Sequence, residues 1–189
     1  MISVRRARPA DAVAIGAVHV AAWRSTYPGI LPDAFLARLS VPRQAAHYDH
    51  AIRSGVAVYV ATVSGQESLP NTGPRVVGFA TGACARAAHV GGERLAEGEI
   101  ETLYVLDDFR DRGIGRRLMR AVAMQLAGAG CRSILVWVLK ANPSRWFYQR
   151  LGGRPVAEAL IRVGGEPVAQ VAYVWDPLER LLQASPQAS

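Results

Sequence analysis

Lysine is nearly missing from this chain: Lys140 is the only one among 22 basic residues, the rest being arginine. Cysteine is almost as scarce. With Cys84 and Cys131 alone, a disulfide-built secreted scaffold is excluded. No apolar run approaches the ~20 residues that cross a bilayer as a helix. The opening Met1-Ile2-Ser3-Val4-Arg5-Arg6 lacks the apolar centre of a signal peptide. These absences predict a cytoplasmic protein without a membrane partner. Neither cysteine has a neighbouring base or a nucleophile-elbow pattern, so both are expected as small buried thiols. His47 and His50 stand three apart on a predicted helix, but no third ligand follows at a metal-binding spacing, so no metal is expected.

What is present is globular. Of 189 residues, 50% are hydrophobic and 20% are charged, which predicts one packed domain over residues 1–178 and a C-terminal tail over 179–189. A net charge of +7 and a pI near 10.1 raise the question of a polyanion partner. The arginines are not interleaved with aromatics, however. Their densest group, Arg110, Arg112, Arg116, Arg117 and Arg120, surrounds a glycine turn. That placement favours a small phosphorylated ligand, and no nucleic-acid partner is expected.

Read in order, Ile2 to Ala7 is a strand and Ala12 to Thr26 a helix stopped by Pro28-Gly29; Pro32 to Leu39 and Pro42 to about Ser54 are two more helices. Val56 to Ser64 and Arg75 to Arg86 form an antiparallel pair across the polar connection 65–74, and 87–98 reads as a loop. Glu99 to Leu106 is a strand, Ile114 to Ala129 a helix and Ser133 to Leu139 a continuously apolar strand, a β-α-β unit with a parallel pair. A helix opened by Pro143 ends at Leu151-Gly152-Gly153. Arg154 to Val163 and Pro167 to Trp175 close the chain as a hairpin across Gly164-Gly165. The tail from Leu178 is a short helix with a frayed end.

Between the Glu99 strand and the next helix lies Arg110-Asp111-Arg112-Gly113-Ile114-Gly115-Arg116. Two glycines there let backbone amides point outward from a helix start without obstructing Cβ atoms, a geometry that binds anions.

This stretch resembles the GNAT N-acetyltransferase superfamily, whose signature is Arg or Gln, two residues, Gly, any residue, then Gly or Ala. The likeness extends through Leu103-Tyr104-Val105 before the turn and through Asn142 followed six residues later by Tyr148 and then Leu151-Gly152. A weaker likeness, to members acting on small amines, lies in Ala22-Trp23-Arg24-Ser25-Thr26-Tyr27-Pro28-Gly29-Ile30-Leu31-Pro32.

The resemblance implies a mixed α/β fold: a mostly antiparallel central sheet flanked by helices, with one parallel pair splayed at the cofactor site. It implies acetyl-CoA as cofactor, its pyrophosphate on the amides from Asp111 to Arg116 and its pantetheine arm along Leu103, Tyr104 and Val105, with Asn142 holding that arm from the far side. Arg110 and Arg112 belong to the same cofactor motif. Tyr148 matches the family's acid. Glu99 stands at the strand position where some members carry the base, and Glu101 shares its face if the strand is regular; a bulge would exchange their roles. Other members place a glutamate on the following strand, where this chain has Trp137. Trp23 and Tyr27 become candidate walls for the acceptor, a primary amine of a small molecule or a peptide. The competing reading is a non-catalytic acyl-CoA sensor or regulatory module, which needs the turn but not the glutamates or Tyr148. An exposed sheet end leaves room for a homodimer.

Overall fold

In the computed structural model, residues 1–64, 74–84, 89–90 and 93–185 are described. They form a seven-stranded sheet in the order β1-β2-β3-β6-β7-β9-β8. The strands are β1 (Ile2–Arg6), β2 (Ala57–Val63), β3 (Arg75–Cys84), β6 (Gly98–Val105), β7 (Ile134–Leu139), β8 (Arg154–Val163) and β9 (Glu166–Trp175). Two short strands, β4 (His89–Val90) and β5 (Glu93–Arg94), pair separately. The reading of 87–98 as a loop missed this ribbon, whose pairs are too few to leave an alternating pattern. Most of the predicted connection 65–74 lies outside the described residues.

All sheet pairings are antiparallel except β6 with β7. That exception follows from the crossover helix α4 (Ile114–Gly128), which returns the chain in the same direction. The apolar face of α4 (Leu118, Met119, Val122, Ala123 and Leu126) packs on Ile100, Ile134, Val136 and Val138. Two glycines let it lie close. A Cβ at Gly82 would come within 2.5 Å of Val122 Cγ1, and one at Gly98 within 3.1 Å of Leu126 Cδ1. Leu118 is fully buried, and truncating it to alanine would cost about 2–5 kcal/mol. Helix α6 (Glu179–Ala184) packs on the same layer through Leu181. Arg120 fixes it there by donating to the carbonyls of Leu182 (2.8 Å) and Ser185 (3.0 Å).

The other face of the sheet is covered by α1 (Ala12–Thr26) and α3 (Val41–Arg53), with Ile15, Val18 and Tyr48 on Val58, Val60 and Phe79. A Cβ at Gly16 would strike the Ala45 amide nitrogen at 2.8 Å, so glycine is what lets α1 and α3 touch. Between these helices runs α2 (Asp33–Ala37), packed with Leu139 and the β8–β9 hairpin residues Ile161, Val163 and Val168.

Candidate active site

Strands β6 and β7 are hydrogen-bonded partners only at Gly98–Ile134, Glu99–Leu135 and Ile100–Val136. Beyond that point β6 continues on β3 through Val105, while β7 continues on β9 through Leu139. The two therefore separate, and among the described residues their facing backbone edges have no sheet partner. The wedge between them is a cavity of about 990 Å³.

At its outer end stands the glycine turn. Asp111 and Gly113 both adopt positive φ, at 59° and 74°. The first helical bond of α4 runs from the Arg117 amide to the Gly113 carbonyl at 3.1 Å. The amides of Ile114, Gly115 and Arg116 thus precede the helical ladder, at the positive end of the helix dipole. A Cβ at Gly115 would meet Phe147 at 3.2 Å. Arg110 is tied back by an ion pair to Asp107 (2.7 Å) and by a bond to Thr26 Oγ1 (3.0 Å). Arg112 lies over the Phe109 ring at 5.1 Å. Arg116 is exposed. Arg117 and Arg120 turn away from the mouth and bond the Ile2 carbonyl and the Leu182 carbonyl of α6, because β1 and α6 close over the helix face they occupy.

The middle of the cavity is lined by Leu103, Tyr104 and Val105 on one side and Val138, Leu139 and Asn142 on the other. Asn142 is buried; its Oδ1 accepts from the Ser144 amide (2.8 Å) and its Nδ2 donates to Tyr27 Oη (3.1 Å). It joins the turn after β7 to the end of α1. Tyr148, on α5 (Arg145–Arg150), lines the same space with its ring 6.1 Å from Tyr173. Burial, with a smaller push from Tyr27, holds its hydroxyl pKa above the usual tyrosine value, so it is a proton donor at neutral pH.

The inner end holds Glu99 and Glu101. Glu101 is the extra residue of a bulge, since Ile100 opposes Gly82 while Thr102 opposes Thr81. Thr81 Oγ1 donates to Glu101 Oε2 at 3.4 Å and lies 2.8 Å from Thr102 Oγ1. Instead of exchanging the two glutamates, the bulge leaves both on the cavity and turns Tyr104 toward α1. Burial first, then repulsion from Glu101, raises the Glu99 pKa. Behind them is a buried pair the sequence reading passed over: His19 Nδ1 lies 2.7 Å from Tyr48 Oη, and burial pulls His19 down to about 4. The regular apolar spacing of α1 hid it, because one histidine on a helix face reads as ordinary packing.

Trp23 and Tyr27, at the end of α1, roof the cavity with rings 5.0 Å apart. The Trp23 indole N–H is buried and leans toward the Tyr104 hydroxyl without completing a hydrogen bond. Trp137 lines the floor, and Ile161 and Val163 reach in from the hairpin. Cys84 departs from expectation: it is exposed at the end of β3, with its sulfur 3.3 Å from that of buried Cys131. No metal-binding cluster of His, Cys, Asp or Glu occurs among the described residues, and no helix there is long and apolar enough to cross a membrane.

A splayed parallel pair with free helix-start amides at its mouth is the arrangement of an acyltransferase that takes a long phosphorylated thioester. The FR47-like protein family model matches residues 76–163, which span β3 through β8. The chain is 32% identical over 181 residues to the uncharacterized N-acetyltransferase YuaI of Bacillus subtilis (strain 168), covering 96% of each chain. Among solved structures, YncA of Salmonella typhimurium, a putative acetyltransferase determined with its cofactor acetyl-CoA, superposes with a TM-score of 0.65 at 21% identity, covering 100% of this chain and 99% of that one. NAA60 of Arabidopsis thaliana, in complex with a bisubstrate analogue, gives a TM-score of 0.67 at 20% identity over 93% and 97% of the two chains. This chain belongs to the GNAT superfamily of N-acetyltransferases.

Proposed function

We propose that the chain transfers the acetyl group of acetyl-CoA to a primary amine of a small molecule by direct attack. The observation that carries this reading is the opening of β6 from β7 against the free amides of α4. The residues present suit the cofactor. Amides 114–116 and exposed Arg116 would take the pyrophosphate, with Asp111 and Gly113 shaping the turn and Arg110 and Arg112 bracing it. The unpaired edge at Leu103, Tyr104 and Val105 would accept the amide-bearing arm as an added strand. Asn142, with both polar ends engaged, would set the far wall by holding Tyr27.

Acetyl-CoA supplies the acetyl group as a thioester; the new C–N bond replaces the C–S bond, and the products are an acetamide and the CoA thiol. Glu99 takes the proton of the incoming ammonium, through water, so that a neutral amine attacks. Its raised pKa makes it a better base than an ordinary carboxylate. Tyr148 protonates the departing sulfur and recovers its proton from the nitrogen that has just been acylated. A small acceptor is favoured by the roof: a Cβ at Gly164, in the hairpin turn, would lie 2.8 Å from Phe35 Cβ on α2, so hairpin and α2 close together over the inner end.

The test is CoA thiol release on mixing acetyl-CoA with a panel of amines. Release that depends on the amine supports transfer. Tight CoA binding with no release from any amine or peptide overturns it and leaves the sensor reading.

A further inference from the structure

Two carboxylates meet at the inner end of the cavity, and no cation answers them. Glu99 and Glu101 form no ion pair among the described residues. The arginines that line the cavity, Arg110, Arg116 and Arg150, come from the glycine turn, α4 and α5. The lining of the same cavity includes the aromatic and aliphatic side chains of Trp23, Trp137, Leu139, Ile161 and Val163. The upward shift of Glu99, caused in part by Glu101, reports that negative potential from within. Glu101 is also held in place: the bulge sets its backbone and the Thr81 hydroxyl donates to its carboxylate.

We propose that the acceptor is a diamine, with one nitrogen acetylated and the other bound as an ammonium by Glu101. The inference rests on the acetyl-transfer reading above and specifies its substrate. A monoamine brings one positive charge into the cavity and gives it up as its proton passes to Glu99, so nothing remains to pair with Glu101. A second ammonium stays beside Glu101 throughout the reaction. Residues two apart along a chain have Cα atoms no more than ~7 Å apart, within the span of an extended diamine with four or five methylenes. The aromatic and aliphatic walls cover those methylenes, and indole faces attract ammonium groups. A carboxylate beside the amine would meet two like charges, so zwitterionic amino acids are poor acceptors.

The experiment compares kcat/KM for pentanediamine, pentylamine and aminopentanoate, which share a carbon count and differ in the second group. The diamine is expected to exceed pentylamine by about two- to fivefold, the change that an exposed ion pair supplies, with aminopentanoate poorest. In Glu101→Gln the ratio of diamine to monoamine should collapse toward one. Glu101→Asp, which keeps the charge, should retain much of the preference and shows that loss in the glutamine variant is not misfolding. Equal rates for diamine and pentylamine in the wild type, or a preference that survives Glu101→Gln, overturn the inference while acetyl transfer stands. No thiol release from any amine overturns both.

Discussion

The two ends of the cleft are built on different principles. At the outer end, recognition uses backbone: helix-start amides, two residues at positive φ and an unpaired strand edge. At the inner end it uses side chains from α1, β6, β7, β8 and β9. A backbone site needs little sequence beyond its glycines and serves one cofactor. A side-chain site assembled from five elements can change its acceptor whenever one element changes, so family membership identifies the first ligand and not the second.

Substitutions that separate the two ends test this division. The largest effect is expected where they meet. Tyr148→Phe should lower kcat about 10²-fold, or about 2.7 kcal/mol of transition-state stabilisation, with CoA affinity largely kept; a wild-type turnover would remove Tyr148 from the chemistry. Next, Gly113→Val puts a β-branched residue at φ 74°, a strain of about 1–2 kcal/mol that should weaken CoA binding about tenfold by calorimetry. The site has open space, Arg116 Nη2 at 3.9 Å being the nearest atom, so the loss would report backbone conformation and not a clash. A smaller effect is expected at the inner end. Gly164→Val combines a φ of 61° with a Cβ position 2.8 Å from Phe35, and should raise the acceptor KM several-fold while CoA affinity stays. Equal losses of both affinities would show that the halves are mechanically one.

The smallest effect concerns pH. In the proposed reaction Glu99 acts as the carboxylate, and its pKa is raised by burial and by Glu101. Activity should therefore fall with decreasing pH at a midpoint above the ordinary glutamate range. Glu101→Gln removes the repulsion but not the burial, so the midpoint should move down only part of the way. An upward movement, or none in the kcat/KM profile, would assign the base elsewhere.

Element positions were largely legible. The span Ala12 to Thr26 is the observed α1, and the β-α-β unit ending in β7 was marked by an apolar run buried on both faces. The glycine turn was legible because its chemistry is local. Glu99 and Glu101 could be placed on a strand, but their relation could not, since a bulge leaves no residue-type signature and here depends on Thr81 and Thr102 from two strands. His19 and Tyr48, 29 residues apart, meet only because Gly16 lets α1 rest on α3. That Arg117 and Arg120 bond β1 and α6 was not legible, because nothing local announces that those two elements close over them.

By itself, then, the sequence determined the order of strands and helices and the anion-binding turn, both products of short-range periodicity and backbone freedom. Tertiary structure decided how far β6 and β7 diverge, which face Glu101 presents, and that two carboxylates share one cavity with no ion pair to either among the described residues. Those outcomes depend on packing between residues distant along the chain, and each is set by where a helix or hairpin comes to rest on the sheet.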